Sequence, residues 1–126
     1  MKKILIVLAD YYQHVSLSLL KSAKNNLNGF SVKIIRVPGV FEIPVTISKN
    51  IKKYDGFVAL GCVIKGQTPH FDFISSASTK AIMDISVNNK KPIGNGIITC
   101  LNMKQAKARG KKGKEAAKAV ISVLSQ

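Results

Sequence analysis

The residues with the most potential for chemistry lie in one short stretch, residues 61–73, with the sequence GCVIKGQTPHFDF. It begins at the end of an apolar run rich in strand formers, which predicts a buried strand. It ends as a helix start, with Thr68 as the candidate N-cap and Pro69 at the first helical position. Gly66 and Gln67 form a tight loop between the two elements. Because unpaired N–H groups and the helix dipole both favour negative charge, this loop is a predicted phosphate-binding site.

His70 lies two residues beyond the predicted cap, and an imidazole can exchange protons near neutral pH. A phosphate cradle beside a proton shuttle is therefore the first hypothesis, although a histidine at this position is usually only a polar surface residue. No serine nucleophile motif is present, and Cys62 has no base evident in the sequence. The spacing of histidines and cysteines fits no zinc site, and no dinucleotide or P-loop glycine motif occurs. The predicted chemistry is proton transfer, positioning and phosphate handling, with no cofactor and no metal.

Composition predicts one domain, residues 1–126, that is large enough to bury a core. The formal net charge of +14 raises affinity for polyanions and phosphorylated metabolites, although a solvated lysine-rich surface is the plainer interpretation. Cys62 and Cys100 each end an apolar run, which favours free thiols in a reducing cytoplasm over a disulfide. No signal peptide and no apolar run near the roughly 18 residues of a membrane span is evident, so no membrane partner is expected.

Apolar periodicity predicts strands and helices in strict alternation. The predicted strands are Lys3–Leu8, Ser31–Val37, Phe57–Val63 and Ile93–Thr99. The predicted helices run from Val15 to Leu27, from Phe41 to Ile51, from Pro69 to Val87, from Asn102 to Arg109, and from beyond Gly113 towards the C-terminus. This alternation is typical of a parallel sheet with helices on both faces.

In such sheets ligands bind at the carboxyl ends of the strands. Four predicted loops reach that edge, and they bring Tyr11, Glu42, Thr68 and His70 to one rim. The ring of Tyr11 could stack on a flat heterocycle or simply cover the core. Glu42 at a helix N-terminus is favourable through the dipole alone. The joint position of the four residues, rather than any one of them, predicts a binding site.

Three groups of motifs resemble one family. They are VPGVFEIP at 37–44, YDG at 54–56 leading into LGCVIKGQTPHFD at 60–72, and GIIT, QA with Arg109, and KGKEAA between residues 96 and 117. Over essentially its whole length the chain resembles the 6,7-dimethyl-8-ribityllumazine synthases. The resemblance implies a flavodoxin-like three-layer α/β sandwich with a four-stranded parallel sheet in the order 2-1-3-4. It also implies homopentamers with sites between neighbouring subunits.

The same resemblance implies a transferase in the penultimate step of riboflavin synthesis. In that reaction 5-amino-6-(D-ribitylamino)uracil condenses with 3,4-dihydroxy-2-butanone 4-phosphate, releasing phosphate and water. The catalytic acid/base is implied to be His70. The implied substrate-binding residues are Tyr11 stacking on the pyrimidine; Val40, Phe41 and Glu42 holding that substrate; Cys62, Val63 and Ile64 as the pocket floor; Gln67 and Thr68 cradling the phosphate; Asn95; and Arg109, which reaches the phosphate across the interface.

The chain departs from the family pattern at several positions. Tyr12 replaces an asparagine, Asn95 stands where many members carry phenylalanine, and the segment from Arg109 to Lys112 is shorter than usual. Since no extension precedes strand one, a pentamer or a pair of pentamers is expected rather than a large shell. A straight helix would place Arg109 roughly 12 Å from the carboxyl edge, too far to serve its own loop.

Two other functions remain open from the sequence. A basic nucleic-acid-binding module would need lysines interleaved with aromatic residues on one face, whereas the aromatic residues here lie in the rim loops and core runs. No specific nucleic-acid partner is therefore expected. A family member that binds flavin-like ligands without turnover is the second alternative.

Overall fold

The computed structural model describes residues 1–66 and 69–126, and every structural statement below concerns these residues. The elements in chain order are β1 (Lys3–Ala9), α1 (Gln13–Lys24), β2 (Ser31–Val37), a 3-10 turn (Val40–Glu42), α2 (Ile43–Lys49), β3 (Gly56–Ile64), α3 (His70–Asn89), β4 (Ile93–Cys100), α4 (Met103–Ala108) and α5 (Lys112–Leu124). The predicted types and their alternation are confirmed. The fold is α/β and consistent with a flavodoxin-like architecture.

The four strands form one parallel sheet in the order β2-β1-β3-β4, as expected. Ile4 of β1 is paired with Val32 on one side and with Gly56 on the other. Residues 4–8 of β1 have no exposed surface, and β3 is buried until its last residue. A continuous apolar run of this kind is typical of a central parallel strand that is covered on both faces.

Successive residues of each strand face opposite layers of the sandwich. Ile4, Ile6 and Leu8 pack with the apolar residues of α1, α4 and α5. Leu5 and Val7 pack with those of α2 and α3. The sheet is therefore the middle of three layers, and its two helical layers contain different elements.

Helix boundaries differ from the prediction by a few residues at several places, among them the end of α1 and the start of α5. α1 ends at Lys24, and tight backbone bonds follow, including Leu27 N–H donating to Lys24 O over 3.1 Å, yet Leu27 remains buried. Gly113, predicted to precede the last helix, lies inside α5. A Cβ there would overlap the carbonyl oxygen of Leu19, so glycine permits close packing of α5 against α1.

In the part of the chain described, none of the helices combines the length and the apolarity that a membrane span requires.

Candidate functional site

The loop after β1 is fixed at the carboxyl edge of the sheet by two hydrogen bonds. The backbone N–H of Asp10 donates to the carbonyl of Val37 at the end of β2 (3.2 Å). The buried hydroxyl of Ser16, in the first turn of α1, donates to the carbonyl of Ala9 (2.7 Å). Both bonds close the β1–α1 connection tightly, and they place Tyr11 and Tyr12 on the rim.

Tyr11 and Tyr12 form an edge-to-face pair with ring centroids 4.8 Å apart and planes at 70°. Tyr12 packs against the core, whereas the Tyr11 residue is 74% exposed. Burial, and to a lesser degree the neighbouring Tyr11 and Cys62, raises the pKa of the Tyr12 phenol. Tyr12 therefore stays neutral at physiological pH and supports a ring whose surface is open to a ligand.

The segment after β2 reaches the same rim through a short 3-10 turn. Glu42 N–H donates to Gly39 O (3.2 Å), and α2 begins one residue later with Pro44 in its first turn, where proline costs no backbone bond. Val40 is buried while Phe41 is 70% exposed. The turn is therefore fixed to the core by Val40, and the next residue, Phe41, is exposed to solvent.

Close packing joins this turn to the end of β3. A Cβ on Gly61 would lie 2.9 Å from Val40 Cγ2 and 3.1 Å from Ala9 Cβ, so glycine lets the turn lie directly on the strand. The next residues of β3 alternate between layers. Cys62 packs on the side of α1, and Val63 packs on the side of α2 and α3.

These elements enclose a cavity of about 340 Å³, called here the rim cavity. It is lined by Tyr11, Tyr12, Gly39, Val40, Phe41, Glu42, Cys62, Val63, Ile64, His70 and Ile74. Eight residues predicted from the sequence therefore line one cavity. Ile74 was not predicted, although it lies one helical turn after His70 and so shares its face of α3.

The predicted phosphate-binding residues Gln67 and Thr68 lie outside the described residues, so their roles stay predictions. Their flanks are placed: Lys65 N–H donates to Cys100 O (2.8 Å) and extends the β3–β4 ladder. Helix α3 begins at His70, one residue later than expected, with Pro69 at the N-cap position. Apart from its chain neighbours, none of the described residues lies within 4 Å of the position that a Cβ on Gly66 would take.

Asn95 and Arg109 do not line the rim cavity. They line a separate cavity of about 720 Å³ along β4, called here the edge cavity, together with Thr79, Ile97, Ile98, Thr99, Ala108, Lys111, Lys112 and Glu115. The oxygen Oδ1 of Asn95 accepts a hydrogen bond from Ile97 N–H (3.0 Å). Lys111 and Lys112 were not singled out as site residues, and their place in the lysine run gave no signal that they border a cavity.

The expected position of Arg109 was wrong. Its Nη1 donates to the carbonyl of Thr99 (3.0 Å) and lies 3.8 Å from the sulfur of Cys100, so the guanidinium is at the carboxyl end of β4 rather than roughly 12 Å from that edge. The helix before it has only six residues, and the long side chain folds back along it. Distance from the edge is therefore no argument for a role in a neighbouring subunit.

The thiols of Cys62 and Cys100 are in contact with each other near the guanidinium of Arg109. Burial, together with the adjacent Cys100 and its hydrogen bond, raises the pKa of Cys62 to about 12, and Arg109 opposes the shift. Both cysteines are free and buried. Since the thiolate is the reactive form, Cys62 contributes an apolar wall rather than a nucleophile. Among the residues placed by the structure, no group of three or more His, Cys, Asp or Glu side chains could hold a metal ion.

Comparison with known proteins identifies the family. The model of the 6,7-dimethyl-8-ribityllumazine synthase family matches residues 1–126. The chain belongs to this family.

Three relatives carry the name 6,7-dimethyl-8-ribityllumazine synthase. The protein of Bartonella bacilliformis is 47% identical over 118 residues, covering 89% of this chain and 78% of the relative. That of Agrobacterium fabrum is 42% identical over 135 residues, covering 96% and 91%. That of Afipia carboxidovorans is 40% identical over 136 residues, covering 97% and 83%.

The chain departs from its family in length and at Asn95. The alignment with the Agrobacterium fabrum lumazine synthase has 135 positions, more than the 126 residues of this chain, so that relative contains residues that this chain lacks. At Asn95, where many family members carry phenylalanine, an exposed amide bonded to its own strand lines the edge cavity. The edge cavity is therefore more polar at that position than the family pattern implies.

Proposed function

We propose that this chain condenses 5-amino-6-(D-ribitylamino)uracil with 3,4-dihydroxy-2-butanone 4-phosphate to give 6,7-dimethyl-8-ribityllumazine, phosphate and water. Membership of the lumazine synthase family supports the reaction. The observation that supports a location for this reaction is the rim cavity, because eight predicted site residues from distant parts of the chain line it. Its volume of about 340 Å³ suits a small heterocyclic substrate.

The pyrimidine occupies the rim cavity in this proposal. Tyr11 and Phe41 offer exposed aromatic surface at its mouth, and Val40, Cys62 and Val63 form an apolar wall. Apolar walls with a few polar groups are typical of small-molecule sites. The carboxylate of Glu42 accepts hydrogen bonds from the ribityl hydroxyl groups.

The phosphate of the second substrate is held by the loop at Gln67 and Thr68 and by Arg109. A guanidinium has five N–H donors in a fork that matches phosphate oxygens, and both contacts seen here use Nη1. Arg109 lines the edge cavity, where Lys111 and Lys112 add positive charge. These cations are not part of the rim cavity, which contains the pyrimidine site and His70.

We propose that a complete site therefore forms between subunits of a homopentamer, with the rim cavity of one subunit facing the edge cavity of its neighbour. A groove of about 370 Å³ between α2 and α3 supports such packing. It adjoins the rim cavity through Phe41, Glu42 and Ile74, and Phe41 and Val45 on its border are more than half exposed. Subunit contact would remove this apolar surface from water.

The reaction follows from these positions. The pyrimidine amine attacks the ketone and loses one water to form an imine, phosphate is eliminated, the chain rearranges, and ring closure releases a second water. Holding both substrates in alignment removes the entropy cost of their encounter. Proton transfer by His70 contributes about 10²–10⁴-fold. The loop N–H groups and Arg109 stabilise the charge of the departing phosphate.

The test is to incubate the purified protein with both substrates and to follow lumazine fluorescence together with inorganic phosphate. One phosphate released per lumazine formed is expected, and neither product should form when either substrate is omitted. A protein that binds the pyrimidine but forms neither product would be a non-catalytic ligand-binding member of the family.

Two free thiols are consistent with the cytoplasmic location proposed for this enzyme.

A further inference from the structure

The positive charge of this chain is concentrated in one of the two helical layers. α1 and the segment from α4 through α5 contain nine cationic side chains and one carboxylate, that of Glu115. The opposite layer, from the 3-10 turn through α2 together with α3, contains two lysines and three carboxylates. A lysine-rich composition spread evenly over the surface would not produce this difference.

A polar groove of about 360 Å³ crosses the basic layer between α1 and the joint of α4 with α5. It is lined by Ser18, Lys21, Ser22, Asn25, Lys107, Ala108, Gly110 and Lys111, so three lysines surround hydroxyl and amide groups and only one side chain is apolar. Its shape is fixed by Ser22, whose hydroxyl donates to Gly110 O (2.6 Å) and accepts from Lys114 N–H (3.1 Å). Lys21, Lys107, Lys111 and Lys114 are all exposed.

We infer that this basic groove binds the phosphate backbone of duplex nucleic acid without reading its sequence. Lysines that neutralise phosphates release condensed counterions, and this provides the affinity of non-specific binding. The hydroxyl of Ser18 and the amide of Asn25, which line the groove, are suited to donate hydrogen bonds to phosphate oxygens. The groove shares Ala108 and Lys111 with the edge cavity, and its other six lining residues line neither the rim cavity nor the edge cavity.

Two features favour a duplex over other polyanions. Proteins that bind single strands use aromatic side chains as stacking platforms, and α1, α4 and α5 contain no Phe, Tyr or Trp. Binding of an anionic membrane normally adds apolar side chains that insert among the lipids, and the lining of the groove has only Ala108.

The experiment measures fluorescence anisotropy of a short labelled DNA duplex and an RNA duplex of the same arbitrary sequence, titrated with the assembled protein. If three lysines neutralise phosphates, affinity should fall about 40-fold between about 50 and 200 mM salt. The variant Lys21→Gln, Lys107→Gln, Lys114→Gln removes two of the three lining lysines together with Lys114, whose backbone N–H bonds to Ser22. It should bind at least about tenfold more weakly, and its salt slope should be smaller by about 0.9 per lost contact. DNA and RNA should respond alike, since the proposed contact is to the backbone.

A matched control removes the same charge elsewhere. The variant Lys49→Gln, Lys52→Gln, Lys53→Gln, at exposed positions in and after α2, should change duplex affinity by less than about threefold. Circular dichroism and lumazine formation should be unchanged in both variants, because none of these lysines lines the rim or edge cavity. Equal weakening by both variants would show that net charge alone drives binding and would overturn the inference. So would no duplex binding at about 50 mM salt, or a groove variant that loses binding to phosphatidylserine vesicles but keeps duplex binding.

Discussion

Division of the site between subunits can be tested by mixing two inactive variants. Arg109→Ala removes the guanidinium from the edge cavity, and Tyr11→Ala with His70→Ala damages the rim cavity. Removing an electrostatic donor to a developing charge typically costs about 10²–10³ in kcat. Each variant assembled alone should therefore have almost no activity. Because Arg109 and Tyr11 are exposed, neither change is expected to unfold the subunit.

Mixed assemblies should regain a predictable fraction of the activity. In a ring whose interfaces are all head-to-tail, each site combines the rim cavity of one subunit with the edge cavity of the next. With random equal mixing, about one site in four has an intact rim and an intact Arg109, whatever the number of subunits in the ring. Activity should rise to about a quarter of wild type after joint refolding.

The assay follows lumazine fluorescence after joint refolding, with native mass spectrometry to verify that the rings are mixed. The control mixes Arg109→Ala subunits with subunits that carry all three substitutions, a mixture in which no interface can be complete. If verified mixed rings have only the summed activity of the two parents, Arg109 serves its own subunit. The position of its guanidinium beside Thr99 of the same chain makes this a real alternative.

Three further predictions concern single residues. His70→Ala should lower kcat by about 10²–10⁴-fold while a titration shows nearly unchanged binding of the ribitylaminouracil, and parallel losses of rate and binding would contradict its role. Because burial and the neighbouring Cys100 raise the pKa of Cys62 from 9.0 to about 12, the unfolded state releases this proton at a lower pH than the folded state. The free energy of unfolding, measured by urea titration, should therefore fall relative to that of Cys62→Ala as the pH rises from about 9 towards 12. Parallel pH profiles of the two proteins would refute this. Gly113→Ala should destabilise the protein, because overlap with Leu19 O costs about 1–3 kcal/mol, usually more than the gain of about 1 kcal/mol in helix propensity; an unchanged urea midpoint would count against it.

The sequence predicted the sheet because its signals are local. β1 and β3 are continuous apolar runs rich in strand formers, and such runs are typical of central parallel strands in a chain that alternates strands with helices. The meeting of Tyr11, Glu42 and His70 then follows from topology, since parallel strands end at one edge. No contact had to be known to predict that meeting.

The errors concern packing between segments that are distant in the chain. A glycine before a helix and a glycine inside one look the same in sequence, whereas the carbonyl of Leu19 explains why a residue inside α5 is glycine. The rise per residue predicted the path of the backbone towards Arg109, but not the direction of its side chain. The separation of Asn95 and Arg109 from the rim cavity likewise depends on how α4 and α5 pack beside β4.

The strand order has a consequence for synthesis of the chain. β1 pairs with β2 and with β3, so the first strand lacks one neighbour until Gly56–Ile64 has left the ribosome. The last helix, α5, covers β4 so closely that a Cβ on Gly94 would overlap the carbonyl of Ala116. Pairing between such distant segments carries a large loop-closure entropy cost before any contact offsets it. A nascent chain that stops before Lys112 should therefore remain unfolded and sensitive to protease, and the C-terminal thirteen-residue helix should complete folding in one cooperative step.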